Sequence, residues 1–237
     1  MSDFKARFRV IYDGSNSAPK DTANFHTHLQ QYHVVAVQGL GQIGHSDSAW
    51  IEVNASGEQA CWLSDLLPLH SHCARVARFD YSCDSLGKGI SVADVKHLAR
   101  ALLDELLKQV DRNALDRIVF LGQDLGGLVI KQALSLALTT HQYKQIAAMT
   151  SLLVFFGTPH RVRSSESVAS WMLFLAGVDR GYKVSWFSQT ANMIEAVNRA
   201  FDPFKHVYRI MSIFGTTGEE LKSDRLKWQV RSTLASL

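Results

Sequence analysis

Residues 117–127 read Arg-Ile-Val-Phe-Leu-Gly-Gln-Asp-Leu-Gly-Gly, and this stretch decides the fold of the chain. The apolar run at residues 117–121 is typical of a buried strand, whereas residues 128–138 repeat as a helix does. Glycines on both sides bracket the residue between the two elements, Asp124. Because a strand that bends sharply into a helix exposes the residue at the bend, the sequence predicts a carboxylate on an exposed turn.

Outward from this bend, apolar runs and amphipathic segments alternate. The sequence predicts strands at residues 7–12, 33–37, 75–81, 117–121, 151–157 and 207–214. It predicts helices at residues 62–67 (ended by Pro68), 91–110, 128–140, 164–201 and 221–237. Ser91 and Asp94 form a capping box at the start of the second of these, and an apolar stripe runs along that helix from Val95 to Val110. Such alternation indicates an α/β fold, a mostly parallel sheet with helices on both faces. Ligands of such folds bind at the carboxyl ends of the strands.

Composition narrows the function classes. A length of 237 residues fits one domain spanning residues 1–237. The net charge of +3 comes from scattered basic residues, which argues against nucleic-acid binding. Three cysteines without a C-x-x-C pair indicate neither a disulfide framework nor a zinc site, so we expect reduced thiols in a cytoplasmic protein without metal or cofactor. No apolar run approaches the ~20 residues of a membrane-spanning helix, so no transmembrane segment is expected.

Five stretches, in order, carry a family resemblance. They are Gln-Gly-Leu-Gly at 38–41, Trp-Leu-Ser-Asp-Leu-Leu-Pro at 62–68, Phe-Asp-Tyr at 79–81, the glycine-bracketed 122–127, and Phe-Phe-Gly-Thr-Pro-His-Arg at 155–161. Together, over residues 30–217, they resemble the lipase/esterase-like α/β-hydrolases of the PGAP1-like and SERAC-like type, found in fungi at the N-terminus of NOD-like receptors. The resemblance implies an α/β-hydrolase fold with a helical cap, for which the aromatic residues of segment 164–201 are candidates.

The chain departs from this family where the chemistry should be. Asp124 stands in place of the nucleophilic serine, Gln38 in place of the histidine before the oxyanion glycine, and Gly215 in place of an acidic residue. No histidine follows His206, where the family's general base would be expected. The resemblance therefore implies a degenerate hydrolase, a pseudoenzyme that binds or signals. Its partners would be a small-molecule or lipid-like ligand and other domains of a larger receptor.

An enzymatic alternative stays open. The run Gln-Asp-Leu-Gly-Gly at 123–127 locally resembles the elbows of haloalkane dehalogenases and epoxide hydrolases, in which an aspartate attacks an alkyl carbon. A histidine must then activate water, and His160 is the candidate because it follows a strand on the correct edge. Asp124 could instead serve as a general acid or base in fungal secondary metabolism, or be an inert replacement that caps the helix.

Backbone donors form the remaining candidate site. The resemblance implies that the N–H groups of Leu40 and Leu125 make an oxyanion hole, with Gln38, Gly39 and Gln123 beside it. Backbone donors survive side-chain changes, so this loop could still bind a carbonyl or an anion, or support weak residual esterase activity. The same reading explains the glycines after residue 38 better than a dinucleotide site does.

Overall fold

The computed structural model describes residues 4–14, 32–39, 50–53, 57, 59–71, 73–83, 89–109, 117–162, 184–215 and 228–233. The strands are β1 (Phe4–Asp13), β2 (Tyr32–Val37), β3 (Ile51–Val53), β4 (Gln59–Cys61), β5 (Cys73–Cys83), β6 (Arg117–Gln123), β7 (Thr150–Phe156), β8 (Arg209–Gly215) and β9 (Trp228–Thr233). The α-helices are α1 (Leu67–His70), α2 (Val92–Gln109), α3 (Leu125–Thr139), α4 (Lys144–Met149) and α5 (Val184–Phe201). Shorter helical turns are the π-helical Trp62–Leu66 and the 3₁₀ segments His141–Tyr143 and Asp202–Val207.

Seven strands form one sheet in the order β1-β5-β2-β6-β7-β8-β9. The five central strands are parallel, and β1 and β9 join the two edges antiparallel. The chain leaves β2 toward β5 on one side and leaves β6 toward β7 on the other. Neighbouring strands whose connections depart in opposite directions open a crevice at their carboxyl ends. This is the sheet of an α/β-hydrolase, so the predicted fold class is confirmed.

The two faces of the sheet are packed differently. Because side chains alternate along a strand, Val35 and Val37 of β2 face one side while Val34 and Ala36 face the other. The first side carries the larger core, beneath α2, α3 and α5. The second is covered in the described residues by Trp50 and by the helical turn that contains Leu63, both buried. Helices therefore lie on both faces, as the sequence predicts.

Helix α2 begins at the predicted capping box. The hydroxyl of Ser91 accepts a hydrogen bond from the backbone N–H of Asp94 (3.2 Å), and a carboxylate oxygen of Asp94 accepts one from the backbone N–H of Ser91 (2.9 Å). The predicted apolar stripe of this helix, from Val95 to Leu106, is buried. Val110, its predicted last member, lies outside the described residues.

Two predicted elements are wrong. Pro68 does not end the helix predicted at 62–67, because it occupies the first turn of α1, where a missing N–H breaks no helical hydrogen bond. Of the terminal helix predicted at 221–237, the described residues 228–233 form the strand β9 instead, so the strand predicted at 207–214 is not the last. Residues 228–233 pair antiparallel with β8, whose edge would otherwise remain open.

The hairpin of β3 and β4 was not predicted. Of the proposed cap, Trp171 and Phe174 lie outside the described residues, whereas Phe187 on α5 packs against the larger core. Among the helices that the structure describes, none combines the length and the apolar character needed to cross a membrane.

Candidate active site

The bend between β6 and α3, which we call the elbow, lies where the sequence predicts it. Asp124 has φ 47° and ψ −115°, and within the described ranges it is the sole non-glycine residue with a positive φ. Such a conformation costs roughly 1–3 kcal/mol and persists only where the surrounding structure holds it. Here the backbone N–H of Asp124 donates to the carbonyl of Phe156 at the end of β7 (2.9 Å). The elbow is therefore built and anchored, with an aspartate on it.

Glycines allow α3 to approach the sheet closely. A Cβ added at Gly126 would collide with the carbonyl oxygens of Val37 and Gln38, and one at Gly127 would collide with the side chain of Thr158. These neighbours include backbone atoms at the end of β2, which cannot move without disturbing the sheet. The close approach fixes the elbow directly above the switch point between β2 and β6.

The carboxylate of Asp124 lies between two glycine backbones. A Cβ at Gly39 would come within 2.9 Å of its Oδ2, and a Cβ at Gly157 would come within 2.9 Å of its Oδ1. Gly157 has φ 62°, and its N–H donates to the carbonyl of Ile213 (2.8 Å), which fixes the loop after β7. Asp124 itself is partly exposed. The structure thus joins two predicted site residues, Asp124 and Gly39, and adds Gly157.

The other predicted binding residues are Gln38, Gln123, Leu125 and Leu40, and the structure describes the first three of them. The side chain of Gln38 is buried and its Nε2 donates to the carbonyl of Tyr81 (2.8 Å), so it ties β2 to β5. In the described part of the chain, the buried Oε1 atoms of Gln38 and Gln123 have no hydrogen-bond partner. Leu125 is buried at the first position of α3, whereas Leu40 lies outside the described residues.

Tyr81 is a site residue that sequence reasoning missed. It lies on β5, two residues beyond Phe79, where the pairing of β5 with β2 ends, and it is buried. Burial, and secondarily the negative charge of Asp124, raise the pKa of Tyr81 well above its usual value, so the phenol stays neutral at physiological pH. The sequence contained one usable signal, because Phe-Asp-Tyr was already among the stretches that carry the family resemblance.

His160 is held at both ring nitrogens. Its Nδ1 lies 2.7 Å from Nζ of Lys131, and its Nε2 lies 3.0 Å from Oγ of Ser212. The ring also meets the edge of Phe155, with centroids 5.5 Å apart. Although part of His160 remains exposed, burial of the ring and the charge of Lys131 lower its pKa, which favours the neutral imidazole.

Lys131 sits at the centre of a network that joins α3, α5, β8 and the loop after β7. It is 3% exposed on α3, and its Nζ donates to Oδ1 of Asn198 on α5 (2.5 Å) as well as contacting His160. Its ammonium lies 5.2 Å from the ring centre of Phe155. Burial lowers the pKa of Lys131 to about 7. We call Lys131, His160, Asn198 and Ser212 the Lys131 network.

Asn198 completes this network by holding the loop after β7. Its Nδ2 donates to the carbonyl of Pro159 (3.1 Å) and to that of Ile194 (2.8 Å). The Lys131 network therefore fixes the loop that carries Gly157 and His160. No sequence pattern predicts the Lys131 network, because a single lysine within an apolar helical repeat is ordinarily a solvent-exposed residue.

Asp80, also near the carboxyl edge, has a structural role. One of its carboxylate oxygens pairs with Arg78 (2.9 Å) and the other with Arg9 (2.5 Å), which ties β5 to the antiparallel β1. Among the described residues, no group of three or more His, Cys, Asp or Glu side chains could hold a metal ion.

Comparison with known proteins places this site in context. A family model described as "Putative serine esterase (DUF676)" matches residues 71–181, just under half of the chain and including the elbow. This match confirms the predicted resemblance to the lipase/esterase-like α/β-hydrolases. A comparison with curated proteins found no match.

Solved structures give more distant similarities. The lipase BlEst2 of Bacillus licheniformis is 16% identical, with 84% of this chain and 65% of that protein covered at a TM-score of 0.45. A 2,6-dihydroxy-pseudo-oxynicotine hydrolase is 12% identical, with 81% and 44% covered at 0.41. A bacterial membrane phospholipase A is 10% identical, with 86% and 60% covered at 0.38. The chain spans less than two thirds of each, and similarity this low says nothing about substrate.

Proposed function

We propose that this chain is a ligand-binding module with an α/β-hydrolase fold and without serine-hydrolase chemistry, working as one domain of a larger receptor-like protein. One observation carries the proposal. The strained elbow is intact, yet the residue on it is Asp124, whose carboxylate lies between Gly39 and Gly157. The position from which a serine would attack is thus filled by a fixed negative charge.

A carboxylate at this position opposes ester hydrolysis in two ways. It is a weak nucleophile toward an ester or amide carbonyl, because the product would be a reactive anhydride. Its charge would also destabilise the negative oxygen that develops beside the Gly39 loop, where serine hydrolases provide hydrogen-bond donors. Both effects act on the reaction itself and leave the binding of a neutral molecule possible.

The surroundings of His160 support the same conclusion. A general base works best with a pKa near the working pH and needs a free ring nitrogen. Both ring nitrogens of His160 are within 3.0 Å of Lys131 and Ser212, and its pKa is lowered. We therefore assign His160 to supporting the loop after β7.

The polar groups at this edge indicate what kind of ligand it would hold. Asp124 and the buried Oε1 atoms of Gln38 and Gln123 are acceptors, and the phenol of Tyr81 is held neutral. Among these acceptors the partly exposed carboxylate of Asp124 is accessible to a ligand, and a ligand that donates a hydrogen bond or carries a positive charge would complement it. We expect a small or lipid-like molecule that presents hydroxyl or amino groups, neutral or cationic.

A covalent probe tests the absence of serine chemistry. Incubation with a fluorophosphonate, followed by intact-mass measurement, should leave the mass of the wild-type chain unchanged. An adduct on the wild type would contradict the proposal.

A thermal-shift panel of small alcohols, amines and carboxylates tests the ligand class, with Asp124→Asn as the isosteric variant and the exposed Asp202→Asn as its control. The proposal predicts shifts with alcohols or amines that Asp124→Asn weakens and Asp202→Asn retains.

A second function is favoured by the positive φ and partial exposure of Asp124, which an inert position would not need. In it, a carboxylate oxygen of Asp124 forms a bond to an alkyl carbon while halide leaves or an epoxide C–O bond opens, giving an ester. Water activated by His160 would cleave that ester. Intact mass after incubation with alkyl halides and epoxides tests this, because an adduct absent in Asp124→Ala would identify the nucleophile. An unchanged protein mass, with no alcohol or diol released from any compound of the panel, would exclude Asp124 as a nucleophile. A role of Asp124 as general acid or base would use the same carboxylate without an adduct.

A further inference from the structure

A cleft lies at the amino-terminal edge of the sheet, opposite the elbow. Its floor is made by Val34 of β2, Val119 of β6 and Leu152 of β7, which are register partners and so share one face. Leu67 of α1 contributes a further apolar wall. The cleft has a volume of about 540 Å³, within the range of roughly 300–1,000 Å³ typical of small-molecule sites.

Two arginines stand at the rim of this cleft. Arg117 pairs in register with Tyr32 and precedes Val119 on the same face, and Arg209 pairs with Leu152. Both are exposed, and within the described ranges neither guanidinium has an ion-pair partner. By contrast, the arginines of β5 pair with carboxylates.

The other polar groups of the cleft are hydroxyls. The hydroxyl of Ser71 donates a hydrogen bond to the carbonyl of Leu67 (2.7 Å), and that of Ser151 donates one to the carbonyl of Ile118 (3.2 Å). Tyr32 adds a phenol at the rim, and among the described residues that line the cleft none is an aspartate or a glutamate. Its polar chemistry is therefore cationic and hydrogen-bonding, above an apolar floor.

We propose that this cleft binds a small amphipathic anion, an oxyanion head on a short hydrocarbon body. Guanidinium groups match carboxylate and phosphate oxygens with paired hydrogen bonds, and an apolar floor favours a hydrocarbon. The site is distinct from the elbow, because the seven residues of β6, from Arg117 to Gln123, separate the two and span roughly 20 Å of strand. The inference is independent of the function proposed for Asp124.

Calorimetric titration with four ten-carbon probes tests the ligand class. The probes are decanoate, decyl phosphate, decanol and decyltrimethylammonium, each kept below its micelle concentration. Decanoate or decyl phosphate should bind saturably, and decanol and the cation should bind weaker by on the order of tenfold. The tighter of the two anions identifies the head as carboxylate or phosphate. Equal binding of decanol and both anions would overturn the proposal.

Variants locate the site. Replacing both cleft arginines, Arg117→Gln with Arg209→Gln, should weaken the anion by about tenfold or more. Arg100→Gln, at an exposed position on α2, should bind as the wild type does. Ser71→Trp should block the cleft while both arginines remain intact. It therefore tests the location of the site even if the double arginine variant fails to fold. Wild-type affinity in both the double variant and Ser71→Trp would overturn the proposal.

Discussion

The two edges of this sheet differ in charge, strain and packing. At the carboxyl edge, Asp124 is held in a strained conformation between Gly39 and Gly157, where added side chains would collide. At the amino-terminal edge, Arg117 and Arg209 extend from regular strands beside a cleft of about 540 Å³. One edge is tight and acidic, and the other is roomy and basic.

This difference shows that the conformational strain of the scaffold is concentrated at one edge of the sheet. Strain is found where the sheet bends into α3, and that bend persists because β7 and the glycines hold it. The amino-terminal edge needs no special backbone, so its chemistry depends only on side chains in register. Changes at the first edge should therefore alter stability as well as the binding proposed there, whereas changes at the second should alter binding with little effect on stability.

The largest effect is expected from Gly126→Ala. The added Cβ would collide with the carbonyl oxygens of Val37 and Gln38, which belong to the backbone. We expect a loss of about 3 kcal/mol or more in the free energy of unfolding, measured by urea denaturation. Gly57→Ala is the control, because open space surrounds that position and only its positive φ would be strained. A loss no larger than that of Gly57→Ala would show that the carboxyl edge is not tightly packed.

The Lys131 network should appear as a pH dependence of stability. The pKa of Lys131 is lowered to about 7 in the fold from an ordinary 10.5. Between these values the unfolded chain binds more protons, so stability rises with pH. The free energy of unfolding should rise between pH 6 and pH 9 by about 2 kcal/mol more in the wild type than in Lys131→Met.

The control for this prediction is Lys96→Met, an exposed lysine on α2. It should keep the wild-type pH dependence. If Lys131→Met also keeps it, the buried ammonium does not have the shifted pKa on which our account of the His160 loop depends.

A smaller effect isolates the strain at the elbow. Asp124→Gly and Asp124→Ala both remove the carboxylate, but only glycine adopts a positive φ without cost. We expect Asp124→Gly to be more stable than Asp124→Ala by about 1 kcal/mol, after the greater flexibility of unfolded glycine is included. Thermal unfolding of the two variants makes the comparison, and a less stable glycine variant would contradict the strained elbow.

The smallest effect is expected at the other edge. Combined Arg117→Gln and Arg209→Gln should change the free energy of unfolding by less than about 0.5 kcal/mol, because both residues are exposed and in the described residues neither is ion-paired. A loss of several kcal/mol in a denaturant titration would show that these arginines are structural, which removes the contrast between the edges.

Contiguous features of the chain were predictable. The elbow depends on residues 117–127 alone, and the cap of α2 depends on Ser91 and Asp94, so local rules were sufficient. The hydrophobic periods also led to the α/β class, since the two faces of the sheet bury alternate residues.

Features assembled from distant segments were not predictable. Lys131 contacts His160 and Asn198, and His160 contacts Ser212. These residues come from α3, α5, β8 and the loop after β7, whose proximity depends on the strand order. The basic cleft likewise unites residues from β2, β6, β7 and β8. The segment that forms β9 contains enough apolar residues for either a helix or a strand, and its pairing with β8 makes it a strand.

Hydrolysis of p-nitrophenyl butyrate by the wild type and by Asp124→Ala, measured side by side, tests the central claim most directly. We predict equal rates at the background level, because the carboxylate of Asp124 provides no nucleophile toward an ester. Turnover by the wild type that Asp124→Ala abolishes would contradict the account.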